Sequence, residues 1–122
     1  MEYKNFGEFV SSMRKDRKIT VRGLAELLGI SAPFLTDVEK DRRNPFDEEK
    51  LEKLAQIFNL SREEKDTMYN LVGQKRDILP PDYKDYVIKR DYVSTALRTA
   101  RDLDAGEEEW QRFVDELRSR KG

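Results

Sequence analysis

Among side chains able to do covalent or acid–base chemistry, this sequence carries carboxylates and cations and little else: 25 Asp and Glu, 24 Lys and Arg, no Cys and no His. Without thiols or imidazoles there is no disulfide, no thiolate nucleophile, no zinc site built on those ligands and no imidazole acid–base pair. The carboxylates are spread along helical faces, with no Gly-rich phosphate loop and no paired-carboxylate motif beside them, and they read as solvated surface. No enzyme, metal site or cofactor is expected. What the charges can do is meet a polyanion. Through Phe46 nine basic residues stand against seven acidic ones, so this part carries +2 and the remainder −3 of a net −1. A modest positive face permits phosphate contacts, and predicts weaker sequence-independent binding than a strongly basic domain would show.

The cations worth placing flank one stretch, Thr20 to Pro45, TVRGLAELLGISAPFLTDVEKDRRNP. Thr20 can cap a helix in which Leu24, Ala25, Leu27 and Leu28 recur at the spacing of one buried face. Gly29, with no Cβ, suits the left-handed residue of a tight turn, and Ile30 supplies an apolar plug under the corner. Ser31 caps a second helix with Pro33 in its first turn, where a missing N–H costs nothing. Leu35 and Val38 point inward and Ala32, Pro33, Thr36 and Asp37 outward.

With Arg14, Leu24-Ala25, Val38-Glu39 and the Arg42-Arg43-Asn44-Pro45 exit, these residues resemble the helix-turn-helix of the XRE family, the Cro and phage repressor-like transcriptional regulators. The resemblance covers roughly the first sixty to seventy residues. It implies that the second helix lies in a DNA major groove, with Ala32, Pro33, Thr36 and Asp37 facing base edges. Arg22, Lys40, Arg42 and Arg43 are then expected on phosphates, and Arg14 is expected to pair with Glu39 as a tie between two helices. The reading face carries no Arg, Asn or Gln, so groove shape should contribute much of the discrimination. Val21 stands where many members have a phosphate-binding glutamine, Phe34 where many have a tyrosine, and Asp41 where glycine is frequent.

The fold expected is all-α: a five-helix repressor-like DNA-binding domain with a short helical C-terminal extension. The balance of 37% apolar and 40% charged residues suits short helices that each bury one stripe. A first helix spans about Phe6 to Arg17. A fourth begins at Asp47 and buries Leu51, Leu54, Ala55 and Phe58. A fifth begins at the capping box Ser61–Glu64, buries Met68, Leu71 and Val72, and is stopped by Gly73. Residues 1–72 form the reading domain, 73–81 a linker around the double proline, and 82–122 a helical segment too small to bury a core of its own. Its aromatic residues Tyr86, Tyr92, Trp110 and Phe113 are expected to make a dimer or partner contact.

The function implied is a regulator, a repressor, binding a palindromic site on double-stranded DNA as a homodimer. The alternative is an antitoxin or immunity-type adaptor whose C-terminal helices bind a partner protein while the helix-turn-helix autoregulates. No run approaches the roughly 18 to 20 apolar residues of a membrane span and the N-terminus lacks a secretory apolar core, so the location expected is cytoplasmic, with no membrane partner.

Overall fold

A computed structural model describes residues 2–120. Among the described residues there are eight helices and no strand. The chain divides into two compact units, the first ending at Lys84 and the second starting at Asp85.

In the first unit, α1 (Phe6–Asp16), α2 (Val21–Leu28), α3 (Ala32–Glu39), α4 (Glu48–Phe58) and α5 (Arg62–Arg76) surround one apolar core. Each starts where a short polar side chain satisfies a free backbone N–H: Asn5 accepts from Glu8, Thr20 from Gly23, Ser31 from Phe34, Asp47 from Lys50 and Ser61 from Glu64. Glu64 reaches back to the Ser61 N–H and closes a capping box. Phe6, Phe9, Val10 and Met13 of α1 are buried against Leu24, Leu28, Leu35 and Val38 of the next two helices and against Leu51, Leu54, Phe58 and Met68. Helix α1 packs on α3 and α5, and α2 on α3 and α4. The two short helices α2 and α3 are thus gripped from behind by longer ones, and α3 is held rigidly at the surface.

Several expectations need correction. Leu27 is 51% exposed and lies off the buried face of α2. Gly73 does not stop the fifth helix, which continues to Arg76 and ends in the left-handed Asp77, φ 56°. Gly73 is buried because the following strap folds back over it. A Cβ there would lie 2.9 Å from the Ile78 carbonyl oxygen and 3.0 Å from the Pro80 nitrogen. The residue is needed for a close approach rather than for a turn. Phe46, which no periodic pattern had flagged, is 3% exposed and packs edge-on to Phe6 at 5.8 Å between ring centroids.

Glu52 joins α4 to α5, accepting from the Lys65 ammonium at 2.8 Å and from the Tyr69 hydroxyl. The Lys65 bond chiefly, and the Tyr69 bond after it, hold the Glu52 carboxyl below its usual range. A carboxyl so lowered contributes stability above its unfolded value of 4.5 and loses it as pH falls through the folded value. Glu52→Gln should therefore flatten the acid limb of a stability-against-pH curve from urea melts. Because the side chain is 48% exposed, the loss at neutral pH should stay under about 1 kcal/mol.

The second unit contains α7 (Asp91–Asp102) and α8 (Glu107–Ser119), preceded by the single turn α6 (Lys84–Ile88) that begins at the boundary. No described residue of this unit is buried. Tyr86 is 55% exposed, Tyr92 70%, Trp110 39% and Phe113 52%. Trp110 and Phe113 meet edge to face at 6.1 Å, and the Arg90 guanidinium lies over the Tyr86 ring at 4.0 Å. On α7, Val93, Ala96, Leu97 and Ala100 fall on one face, as Trp110, Phe113, Val114 and Leu117 do on α8. Among the described residues no helix is long and apolar enough to cross a membrane.

Candidate nucleic-acid interface

The corner between α2 and α3 is a three-residue turn. Gly29 takes φ 71°, and the N–H groups of Gly29 and Ile30 bond back to the carbonyls of Glu26 and Ala25. Ser31 then starts α3, whose inward residues Leu35 and Val38 are 0% and 1% exposed. The outward side consists of Pro33, exposed, with Thr36 and Asp37 half-exposed. Ala32 is half-buried with its methyl against the core, so it offers a groove less than its helical position implied.

Arg14 of α1 and Glu39 at the end of α3 meet in a two-bond pair, Nε to Oε2 at 2.7 Å and a terminal nitrogen to Oε1 at 2.9 Å. Arg14 also donates to the Ile19 carbonyl at 3.0 Å, which ties the α1–α2 connection to the same point. The side chains are 11% and 9% exposed. The hydrogen bond to Glu39 raises the Arg14 pKa further above its ordinary value, against the opposing effect of burial.

Beyond Glu39 the chain reverses. The Arg42 N–H bonds to the Asp37 carbonyl at 2.8 Å, and Asp41 adopts φ 61°, a conformation aspartate tolerates and glycine would adopt freely. This reversal brings the exit arginines back beside α3. Arg43 Nε lies 3.5 Å and an Arg42 terminal nitrogen 3.8 Å from the Asp37 carboxylate. The Arg43 guanidinium also covers the Phe34 ring at 4.8 Å, and Phe34 stacks on buried Phe46. Lys40 and Arg22 are exposed, at the end of α3 and in the first turn of α2, and no ion pair among the described residues engages either.

Two cations absent from the sequence reading support this loop from α5. Lys75 pairs with Asp41 at 3.0 Å, and Arg76 donates to the carbonyls of Pro45 and Phe46 at 3.2 and 2.6 Å. Lys75 joins Phe34, Arg42, Arg43, Asn44 and Pro45 in lining an open groove of about 480 Å³. They stand some thirty residues downstream of what they touch, where no local periodicity links them; charge at the end of a helix was the one signal, and it reads equally as a dipole complement. The arrangement offers a short outward helix, a cation-rich loop directly after it and a rigid support behind both. That is the geometry for presenting one helix to a groove and cations to the anionic strand beside it.

Residues 5–68 match the family described as a helix-turn-helix domain. A stretch of 39 residues, 32% of the chain, is 44% identical to the immunity repressor protein of Bacillus phage phi105, and spans 27% of that protein's length. A solved chain of the SinR protein/SinI protein complex aligns over 95% of this chain and 97% of its own, with 19% identity and a TM-score of 0.46.

Proposed function

From the premise that this chain belongs to the helix-turn-helix domain family, with the residue pattern of its XRE, Cro and phage repressor-like branch, we propose that it is a sequence-specific transcriptional regulator that represses by occupying a palindromic operator as a homodimer. The observation that carries this reading is the rigidly supported α3 with Pro33, Thr36 and Asp37 outward and the Arg42–Arg43 loop folded back beside it. The first unit, through Lys84, serves as the reading domain and the helical segment after it as the contact between copies. Thr36 bonds a base edge or packs on a thymine methyl, Pro33 fills space against a methyl with Ala32 behind it, and Asp37 accepts from a cytosine amino group. Arg22, Lys40, Arg42 and Arg43 hold phosphates. The protein works where the chromosome is, in the cytoplasm.

The contact between copies is argued from exposed apolar surface. Tyr86, Tyr92, Trp110 and Phe113 lie on helices with no buried residue, and stripes of this kind need a partner surface to stay folded. Two joined copies would set their reading helices about 34 Å apart, one helical turn of DNA. The same surface favours the adaptor reading if its partner is another protein. A mass measurement in solution separates the two, since a dimer supports self-association and a monomer the heterologous partner.

The test of function is selection of randomised duplexes by the purified protein at stated salt, followed by sequencing of what is retained. Enrichment of half-sites one helical turn apart is expected, and no enrichment would sink the regulator reading. With the selected duplex, the double change Arg42→Ala/Arg43→Ala should weaken binding about ten- to hundredfold and lower the salt slope by about two.

A further inference from the structure

The carboxylate of Asp37 has two arginines around it, and both are the ones best placed for phosphate. Arg43 Nε and an Arg42 terminal nitrogen approach its two oxygens at 3.5 and 3.8 Å. The pairing follows from the backbone reversal: the Arg42 N–H to Asp37 carbonyl bond and the left-handed Asp41 return the chain onto the last turn of α3. Lys75 from α5 takes Asp41 as its own partner, at 3.0 Å, and leaves Asp37 to the arginines.

We infer that Asp37 is a specificity-determining internal counter-ion, which occupies Arg42 and Arg43 in the free protein and is displaced from them only when a duplex supplies both phosphates and a hydrogen-bond donor for the vacated carboxylate. The inference rests on the DNA-binding reading and adds to it a penalty on wrong sequences. A cation gains affinity for DNA by replacing counter-ions condensed on phosphate. An arginine already neutralised by a carboxylate must first give up that partner. Opening the pairs then leaves Asp37 ionised close to the duplex, a repulsive contact unless a base edge can donate to it. In the major groove the cytosine N4 and adenine N6 amino groups can do so, while adenine N7, guanine N7 and O6 and thymine O4 cannot. Discrimination arises from a cost imposed on duplexes that place an acceptor or a methyl, and no amino group, opposite Asp37, rather than from a strong bond to the right base. It also accounts for a reading face with no Arg, Asn or Gln beside an exit loop with two arginines.

The test uses the full chain and a fluorescent random-sequence duplex at several salt concentrations, with Asp37→Ala made in the natural background and in Arg42→Ala/Arg43→Ala. In the natural background Asp37→Ala should tighten random-duplex binding about tenfold and steepen the salt slope by one to two phosphates' worth. Without the arginines the same change should gain no more than about twofold, the residue of long-range repulsion. On the selected operator the gain should be smaller than on random duplex, so the specificity ratio falls. Equal gains in both backgrounds would reduce Asp37 to a long-range repulsive charge and overturn the inference, as would no gain at all. In the protein without DNA, the Arg43 Nε–H resonance should move when Asp37 is replaced by alanine; a stationary resonance also overturns the pairing. Failure of every variant to bind DNA at low salt is a different outcome, and it defeats the DNA-binding reading itself.

Discussion

Gly7→Ala is expected to melt on the order of 15 °C below the natural protein, the largest stability loss of any Gly→Ala change among the described residues. Gly7 is buried in the first turn of α1 where that helix crosses the end of α3. A Cβ built there meets the Val38 carbonyl oxygen at a forbidden distance and lies 2.6 Å from the Glu39 oxygen and 2.8 Å from its carbonyl carbon. All three are backbone atoms of a helix end, so no side-chain rotation relieves the clash. Either α1 moves off α3 or the last turn of α3 distorts. Overpacking of a rigid contact costs about 1 to 3 kcal/mol, occasionally more, and the upper end applies here. A thermal melt by circular dichroism checks it. Gly23→Ala is the control: its Cβ would lie 3.1 Å from the Thr20 hydroxyl and otherwise in ordinary contact. The helix-forming gain of about 1 kcal/mol should offset that crowding. If the two variants melt alike, α1 does not approach α3 as closely as described. Gly7→Ala should also bind DNA more weakly below its melting range, because the helix it disturbs is the one that faces the groove.

That Gly7 carries this weight was not legible in the sequence, for a reason that recurs across the molecule. Features set by neighbours in the chain could be read: the caps at Thr20, Ser31, Asp47 and Ser61, and the positive φ at Gly29. Each depends on residues three or four positions away. The stripes of α1, α4 and α5 were legible on the same ground, since a buried face repeats with the helical period. Leu27 shows the limit, because an apolar residue in an eight-residue helix sits close enough to the stripe to be counted into it while pointing to solvent. Gly7 and Gly73 owe their identity to backbone from another turn of the fold, and a missing Cβ leaves no periodic trace. Phe46 stands alone in a loop with no partner at helical spacing, yet it anchors that loop between Phe6 and Phe34. The candidate site divides likewise. The helix that faces outward follows from local pattern, but the Asp37 pairing with Arg42 and Arg43 exists only because Asp41 turns the chain back.

Glu39→Ala should cost about 3 kcal/mol, close to the loss from Gly7→Ala and arising at the same helix end. It leaves the Arg14 guanidinium, 11% exposed, with the Ile19 carbonyl as its remaining hydrogen-bond partner among the described residues. A charge so enclosed cannot recover its hydration without opening the α1–α3 contact. Arg14→Ala should cost a similar amount by stranding Glu39, which is 9% exposed. Replacing both partners together, Arg14→Met with Glu39→Leu, removes the two desolvated charges at once and should be more stable than either single variant. Urea melts of the natural protein, the two alanine variants and Arg14→Ala/Glu39→Ala give the coupling directly. Additive losses would mean that the pair contributes through packing of its methylenes alone. The apolar pair should nevertheless impair DNA binding more than stability. The two-bond geometry fixes the rotation of the last turn of α3 about its axis, and from that turn the chain passes to Asp41, Arg42 and Arg43. An apolar contact holds that end at the right distance without holding its angle. A variant that melts near the natural temperature but has lost sequence preference would assign the pair to orienting the reading helix, over and above holding it down.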